Sequence, residues 1–294
     1  MIIVKLMGGL GNQMFQYAAG RYLANLHQTE LLFDLSYLLK DPKGAYTKRH
    51  LELSIFTINL NIASDSDIKV FKIDQSNKYT RTIQRNFPFL FSNIYAAESG
   101  FGYQRAFSGF PKNTYLEGFW QSERYFKSIE SILKNDFQLK EPLNEENKKW
   151  MNQIVSCESV SLHIRRGDYV SNTNSQHSHN NCNNEYYIKA LNKIKQKHNN
   201  SKVFVFSDDL KWCKENLKLD NTTYFVDANQ ANNFHLDMYL MSQCKHNIIA
   251  NSSFSWWAAW LNSNKDKMIV APVNWFSDKL LNTKDLIPSS WIKI

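Results

Sequence analysis

The sequence has few of the residues that mark metal-binding, disulfide-linked or membrane-spanning proteins. Only four of its 294 residues are cysteines, and none has the C-x-x-C spacing of zinc or dithiol sites, so we expect reduced thiols. With 10 glycines and 6 prolines, the composition is globular rather than fibrous or disordered. No apolar run approaches the roughly 18 residues of a membrane helix, and the apolar start is too short for a signal peptide. We therefore expect a cytoplasmic protein, and peripheral contact with the anionic inner face of the cytoplasmic membrane stays open.

Basic residues exceed acidic ones, 35 to 27, which gives a formal net charge of +8 and favours an anionic partner. The lysines are spread along the chain, and the strongest local pair is Arg165 with Arg166. A small phosphate ligand therefore fits better than a nucleic acid. The length predicts two domains, residues 1–150 and 151–294, separated by a polar stretch that begins at Glu141.

Alternating strand and helix patterns predict an α/β fold with parallel sheets. Residues 2–7 form an apolar run before a glycine-rich turn, and a helical pattern and a second strand at 31–34 complete a βαβ unit. Residues 40–110 have no clear periodicity. The second half reads as doubly wound, with strands at 160–164, 203–206, 224–226, 248–250 and 268–271 separated by helices.

The first motif that carries chemistry is the turn Gly8-Gly-Leu-Gly-Asn12, between the first strand and the first helix. Glycines allow backbone N–H groups to approach an anion, and a helix N-terminus favours negative charge. Two other interpretations stay open. The turn can be a dinucleotide fingerprint with Asp34 as its acidic residue, although Met14 stands where the third glycine belongs. It can also be a tight structural turn.

The second motif is His163-Ile-Arg-Arg-Gly-Asp168, at the end of the first strand of the second half. Ligands of open α/β sheets bind at the carboxyl ends of strands, so one arginine can fork onto a diphosphate. Its neighbour would pair with Asp168 and hold the turn; a wholly structural arginine–aspartate pair is the alternative. In the loop that follows, His177, His179 and Cys182 are too few for a metal site, and we interpret the loop as a lid over the acceptor.

Four segments together resemble the bacterial α-1,2-fucosyltransferases: GGLGNQMFQYA at 8–18, HIRRGDY at 163–169, FSDD at 206–209 and NSSFSWW at 251–257. A fifth, LEGFWQSERYF at 116–126, is similar to the central element of that family, so the resemblance spans nearly the whole chain. The resemblance implies a GT-B fold, two Rossmann-like domains with a cleft between them. The first half would bind the acceptor and the second the donor.

By motif position, the resemblance implies that Arg165 holds the β-phosphate, that His163 approaches the donor and that Asp208 accepts hydrogen bonds from guanine. From the sequence alone, Asp208 can instead cap the helix that begins at Leu210. The turn at 251–255 precedes a helix, and its hydroxyls and amides would form a pyrophosphate cradle. The expected catalytic residues are Arg165, His163, Asp168 and Asn12; the donor-binding residues are Gly9, Gly11, Asn12, His163, Arg165, Asp208, Ser252, Ser253, Phe254 and Ser255; the acceptor-binding residues are Gln13, Trp120, Gln121 and Glu185.

The expected reaction moves L-fucose from GDP-β-L-fucose to the 2-hydroxyl of a terminal β-galactoside, free or lipid-linked, in surface polysaccharide or O-antigen synthesis. No metal or other cofactor is expected, because arginine and helix N-termini would neutralise the leaving diphosphate. Asp168, Glu185 and the leaving phosphate itself are candidates for the base. Two other classes remain open, a nicotinamide-dependent dehydrogenase and a non-catalytic carbohydrate-binding protein.

Overall fold

The computed structural model describes residues 1–40, 48–72, 79, 82–83, 86–166, 182–217, 219, 222–229, 233–278 and 280–294. Its described part folds into two compact units. The first is Met1–Lys140 with Leu281–Pro288, and the second is Glu141–Leu280 with Ser289–Ile294. The chain thus divides ten residues before the predicted position at 150, and a C-terminal segment joins the first unit. The helix at Glu145–Val155 belongs to the second unit because it packs against the helix at Phe234–Gln243.

The first unit is a parallel sheet with helices, as the α/β pattern predicted. Its first strand, Ile-Ile-Val-Lys, has three fully buried side chains, which is typical of a central parallel strand covered on both faces. Its elements are β1 Ile2–Lys5, α1 Leu10–His27, β2 Leu31–Asp34, β3 Asn61–Ile62, α2 Asp65–Lys72, β4 Asn93–Ala97, β5 Asn113–Glu117 and α3 Glu130–Asp136. Among the described residues the sheet has the strand order β3-β2-β1-β5-β4.

The second unit confirms the predicted doubly wound alternation. Its elements are α4 Glu145–Val155, β6 Ser159–Ile164, α5 Asn184–Lys195, β7 Lys202–Ser207, α6 Leu210–Asn216, β8 Thr223–Phe225, α7 Phe234–Gln243, β9 His246–Ile248, α8 Ser253–Leu261, β10 Ile269–Ala271 and β11 Ile292–Lys293. The described residues give the parallel strand order β11-β10-β9-β6-β7-β8.

Strand β9 begins two residues before the predicted strand at 248–250. His246 and Asn247 are polar, so the apolar pattern gave no reason to include them, but both are buried. The imidazole of His246 is hydrogen-bonded to Glu158, and the Asn247 amide donates to Ser161 Oγ. These bonds compensate for the loss of water and let polar residues occupy a central strand.

In each sheet one pair of neighbouring strands separates the part that the chain builds first from the part that it builds later. In the first sheet the chain runs from β1 through β2 to β3 on one side, while β5 and β4 lie on the other. In the second it runs from β6 through β7 to β8 on one side and from β9 through β10 to β11 on the other. Loops that leave the carboxyl ends of the two strands at such a point diverge and create a crevice, where ligands of open α/β sheets bind. We call these two places the first switch point, between β1 and β5, and the second switch point, between β6 and β9.

Within the described parts of the chain, no helix combines the length and the apolar character needed to cross a bilayer. The tryptophans Trp256, Trp257 and Trp260 of α8 are buried and contact one another. Their contribution is to the core of the second unit.

We expect Gly20→Ala to destabilise the protein, because α1 lies so close to the sheet that a Cβ at this position would overlap the Val4 and Leu31 side chains. Alanine gains about 1 kcal/mol of helix propensity, but overpacking costs about 1–3 kcal/mol. The free energy of unfolding, measured by urea denaturation, should therefore fall. Asn25→Ala, at an exposed position of the same helix, is the control and should leave it unchanged or slightly higher. A Gly20→Ala protein at least as stable as wild type would contradict the close packing.

Candidate active site

The glycine-rich turn after β1 already holds a carboxylate from its own chain. Gly9 stands at the N-cap of α1, and the first helical amide, Leu10 N, donates to Glu52 Oε2 over 2.6 Å. Burial raises the pKa of Glu52, and the bond from Leu10 opposes the rise. Gly9 and Gly11, predicted as donor-binding residues, thus lie at a helix N-terminus that already binds the Glu52 carboxylate of the same chain. This favours the structural-turn interpretation.

Asp34, the acidic residue of the dinucleotide interpretation, is buried, and both of its carboxylate oxygens accept hydrogen bonds within the chain. Its Oδ2 accepts from the Tyr115 hydroxyl over 2.5 Å and its Oδ1 from Ser36 N over 2.7 Å. Only 1% of Asp34 is exposed, so it has no surface for a ribose hydroxyl. The structure therefore gives no support to the dehydrogenase alternative.

Two glutamines of α1 form hydrogen bonds with backbone groups of the turns next to the first switch point. Gln13, predicted to bind the acceptor, donates to the carbonyls of Gly8 and His50 and accepts from Glu52 N. Gln16 accepts from Met7 N over 2.9 Å and donates to Gly118 O over 3.1 Å. Both side chains are fully buried. The amide of Gln13 is used by the backbone, so its role in this structure is structural rather than acceptor binding.

Asn12 and Gln121 meet across the first switch point. Asn12 lies in the first turn of α1, after β1, and Gln121 lies after β5; the Gln121 amide donates to Asn12 Oδ1 over 2.8 Å. Gln121 is 7% exposed, and within the described chain its buried Oε1 has no hydrogen-bond partner. A buried acceptor without a donor is costly unless a ligand or water supplies one. The structure thus brings together two of the predicted residues and leaves one of their polar atoms available.

The ring of Trp120, which was predicted to bind the acceptor, lies in the core of the first unit. The indole is fully buried and packs against Phe107, Phe110 and Tyr125. Its backbone has φ of 54°, a conformation that non-glycine residues rarely adopt and that costs about 1–3 kcal/mol. The strained backbone and the buried ring fix the direction of the chain at Gln121.

The second switch point presents a neutral histidine. His163, near the end of β6, is 5% exposed, and its ring lies 5.8 Å from that of Phe254, the second residue of α8. Burial, with a smaller contribution from the charge of Arg165, lowers the pKa of His163 to about 3. Within the described chain, its buried Nδ1 has no hydrogen-bond partner. His163 can therefore exchange hydrogen bonds with a ligand but carries no positive charge.

The two arginines after β6 have different partners. Arg165 Nη1 lies 2.9 Å from Asp208 Oδ2, and Asp208 Oδ1 accepts from Arg166 N over 2.9 Å. Arg166 lies over the Trp212 ring at 3.7 Å, and its Nε is 3.6 Å from Asp209 Oδ2. The neighbour of Arg166 in this structure is thus Asp209, whereas the predicted partner lies outside the described residues.

Asp208 is not the cap of α6, so that alternative was wrong. The N-cap is Asp209, whose Oδ1 accepts from Trp212 N over 3.0 Å. Asp208 instead joins the ends of the adjacent strands β6 and β7 by its bonds to Arg165 and Arg166. The predicted contact with guanine stays a prediction.

The serines after β9 divide into a cap and a buried hydroxyl. Ser252 is the N-cap of α8, and its Oγ accepts from Phe254 N. Ser255 is fully buried, and its hydroxyl donates to the carbonyls of Ala250 and Ser252 at 3.5 and 3.3 Å. Ser253 and Phe254 are partly exposed in the first turn of the helix, beside His163. Of the predicted cradle, Ser255 thus serves the helix, while Ser252, Ser253 and Phe254 lie where a ligand could reach them.

The structure describes only one of the two remaining predicted site residues, Glu185. Glu185 lies in the first turn of α5, is exposed, and pairs with Lys189 four residues later. Asp168, His177 and His179 lie outside the described residues. Burial raises the pKa of the Cys182 thiol to about 11.

One cluster has ligand atoms for a metal, but its hydrogen bonds disfavour coordination. Glu158 Oε1 lies 2.9 Å from His198 Nδ1 and 2.7 Å from His246 Nε2, at the amino ends of the strands and opposite the switch-point edge. Met268 N donates to His246 Nδ1, so Nε2 must carry the proton of a neutral ring. A metal at Nε2 would require the other tautomer, with the proton on Nδ1. The Nδ1–H and Met268 N–H would then face each other, and neither could accept a hydrogen bond.

A model of the family described as Glycosyl transferase family 11 matches residues 1–294. The chain belongs to glycosyltransferase family 11. This family 11 glycosyltransferase is 36% identical to an Escherichia coli alpha-1,2-colitosyltransferase, over 100% of this chain and 98% of the relative. It is also 36% identical to the E. coli O-antigen biosynthesis glycosyltransferase WbnK, over 98% and 99% of the two chains. The predicted family resemblance is confirmed.

More distant matches agree with the fold class. Human galactoside alpha-(1,2)-fucosyltransferase 1 is 27% identical over 50% of this chain and 42% of its own length. A structure of an Arabidopsis thaliana FUT1 variant in complex with GDP superposes with a TM-score of 0.50 and 13% identity, over 99% of this chain and 75% of that chain. The predicted GT-B class, with Rossmann-like α/β units, is confirmed.

Sequence reasoning missed two carboxylates of this family 11 glycosyltransferase, Glu52 and Glu98. Both lie in the region without clear periodicity, and both accept hydrogen bonds from backbone amides at the carboxyl edge of the first sheet. For Glu98 the sequence held one signal, Gly118, because a glycine directly after a strand indicates a close approach of another group.

We expect Gln16→Leu to lower the free energy of unfolding by about 2 kcal/mol, because it leaves the partly buried Met7 N and Gly118 O without their side-chain partner. Leucine has a similar volume, so the loss reports the two hydrogen bonds rather than a cavity. Gln153→Leu, on the exposed face of α4, is the matched control and should change stability by less than about 0.5 kcal/mol. Equal stabilities of the two variants in urea denaturation would show that Gln16 does not fasten the switch point.

Proposed function

We propose that this glycosyltransferase transfers L-fucose from GDP-β-L-fucose to the 2-hydroxyl of a terminal β-galactoside, with inversion at the anomeric carbon. The observation that carries the proposal is the Arg165–Asp208 ion pair, which holds a guanidinium at the carboxyl edge of the second sheet, at the ends of β6 and β7. Arginine offers a planar fork that matches phosphate oxygens. The second unit would bind the donor there, and the first would bind the acceptor at its own switch point.

The chemistry of the second unit follows from its charges. As the bond between sugar and diphosphate lengthens, negative charge grows on the diphosphate, and Arg165 and the N-terminal amides of α8 would stabilise it. Neutral His163 would exchange a hydrogen bond with the donor through its unpartnered Nδ1. The reaction would then depend on fixed charges and dipoles, which need no rearrangement as it proceeds.

The donor sugar is part of the proposal, because one relative is named a colitosyltransferase and others fucosyltransferases. Colitose is fucose without its 3-hydroxyl. A site that binds this hydroxyl discriminates strongly against the analogue that lacks it, whereas an apolar site discriminates weakly. Comparing the two GDP-sugars therefore identifies the donor.

The acceptor is proposed to be a galactose-terminated glycan, free or lipid-linked, within O-antigen or other surface polysaccharide synthesis. The O-antigen relative WbnK supports this setting. A cytoplasmic location, with peripheral contact at an anionic membrane, belongs to the same proposal and fits the net charge of +8.

The test is incubation with GDP-fucose or GDP-colitose and a β-galactoside, followed by GDP release and NMR assignment of the new linkage. We expect an α-1,2-linked fucoside from GDP-fucose. Arg165→Ala should lower the rate at least about 100-fold, because removing one transition-state donor costs that much. GDP release without a glycosidic product, or no release with either donor, would contradict the proposed function, and a preference for GDP-colitose would reassign the donor.

The same assay run in EDTA tests the proposal that no metal is required. Transfer should persist, because Arg165 and a helix N-terminus would supply the positive charge that a divalent ion provides in other enzymes. Complete loss in EDTA that Mn²⁺ restores would show that the leaving group needs a metal.

We expect Asp208→Asn to weaken GDP and IDP binding by equal factors, because both oxygens of Asp208 are engaged by Arg165 and Arg166. The substitution would release the Arg165 guanidinium, which contacts phosphate in either nucleotide. Calorimetry with the two nucleotides checks this. Inosine lacks the 2-amino group of guanine, so a smaller preference for GDP over IDP in the variant would instead support recognition of guanine by Asp208. Asp209→Asn, which keeps a cap for α6, is the control.

A further inference from the structure

Glu98 occupies a position beside the first switch point that the proposed chemistry has not used. It directly follows β4, and its backbone amide donates to Glu117 O at the end of β5, over 2.8 Å. Strand β5 borders the switch point, and the chain continues from it through Gly118 to Gln121. Glu98 thus lies at the same sheet edge as the bonded pair Asn12 and Gln121.

The local backbone is built to hold this carboxylate. Glu98 Oε2 accepts from Phe119 N over 2.7 Å and from Trp120 N over 2.9 Å. Gly118 must be a glycine, because a Cβ there would overlap the Glu98 side chain. The left-handed conformation of Trp120 belongs to the same turn. Strain and close approach at one turn are typical of a functional site.

The second carboxylate oxygen remains available. Among the described residues, no hydrogen bond or ion pair involves Glu98 Oε1, although the residue is only partly exposed. The nearby polar groups also await a ligand, since Gln121 Oε1 is buried and unpartnered within the same described region. A sugar has several adjacent hydroxyls, which can donate to both oxygens.

The surroundings set the proton affinity of Glu98. Burial raises its pKa to about 7, against the opposing effect of the two amide bonds. The titratable group that responds to its charge is the Tyr125 hydroxyl, which donates to Gly102 O and accepts from Gln104 N. Across β5, the Glu117 side chain is paired with Lys5, and on the far side of Tyr125, Asp285 is paired with Arg124.

We propose that Glu98 is the catalytic base, which takes the proton from the acceptor hydroxyl at its free Oε1. This inference rests on the proposed function. The hydroxyl oxygen forms a bond to the anomeric carbon of the donor sugar, and its proton moves to Glu98. The bond between that carbon and the diphosphate oxygen breaks, and the diphosphate leaves with the electron pair. Gln121 and Asn12 would orient the acceptor through other hydroxyls.

A base with a pKa near 7 is half ionised at neutral pH and suits proton transfer from a hydroxyl. Because only the carboxylate can accept the proton, the rate should fall as the pH drops below about 7. Glu185, the earlier candidate, is exposed and paired with Lys189. It lacks the burial that tunes Glu98.

The decisive variant is Glu98→Gln, whose carbonyl still accepts from Phe119 and Trp120 but cannot take a proton. We expect kcat to fall about 100- to 10,000-fold, with the acid limb of the pH profile lost and GDP binding unchanged. Glu98→Asp keeps an ionisable group and should show a reduced rate with an acid limb retained. Glu117→Gln, which neutralises a carboxylate on the neighbouring strand, is the matched control. It should keep both the wild-type rate and the fall in rate at low pH.

The outcomes separate the possibilities. If Glu98→Gln melts like wild type and keeps more than a tenth of its kcat and the acid limb, the base is elsewhere, such as Asp168 or the leaving phosphate. If Glu98→Gln does not fold, a Glu98→Asp protein that keeps the wild-type rate and pH profile would overturn the proposal equally. Absence of transfer by the wild-type protein would contradict the proposed function itself, whatever the variants do.

Discussion

The first strand of each unit lies in the interior of its sheet. In the second sheet the chain builds outward from it on both sides, whereas in the first it builds outward through β2 and β3 and then places β4 at the other edge before β5 fills the gap. β1 is flanked by β2 and β5, and β6 by β7 and β9, all parallel. Because every strand points the same way, all carboxyl ends meet at one edge of the sheet. The loops that follow these ends separate at the switch point. The positions of the chemically important side chains follow from this arrangement.

Polar side chains near the two switch points fall into two groups by their hydrogen bonding. Gln13, Gln16 and Asp34 are buried, and both polar side-chain atoms of each are hydrogen-bonded, so they determine backbone geometry. Gln121 and His163 are equally buried, yet each has one polar atom unpartnered within the described chain. A fully bonded network stabilises a fold, whereas an incomplete one lowers stability unless a ligand completes it. The second group is therefore the better guide to substrate contacts.

The carboxylates show how environment gives one chemical group several roles. Asp208 is held by an arginine and an amide, and it orients the Arg165 guanidinium. Glu52 meets one amide at a helix N-terminus. Glu98 has two amides and no cation in direct contact within the described residues, and burial brings its pKa to about 7. The partner of each group, rather than its type, determines whether it orients, caps or transfers a proton.

The sequence by itself determined the α/β class, the alternation of the second half and the family. Apolar strands such as Ile2–Lys5 and the HIRRGDY segment carry local patterns that need no partner to be recognised. It could not separate Asp208 from Asp209 as the helix cap, because adjacent residues of one type differ only in which amide each can reach. Nor could it find Glu98, which lies in a region without periodicity. Tertiary structure alone decided the partners of Gln13, Trp120, Glu52 and Glu98, because those partners are 20 or more residues away in the chain or are buried by packing.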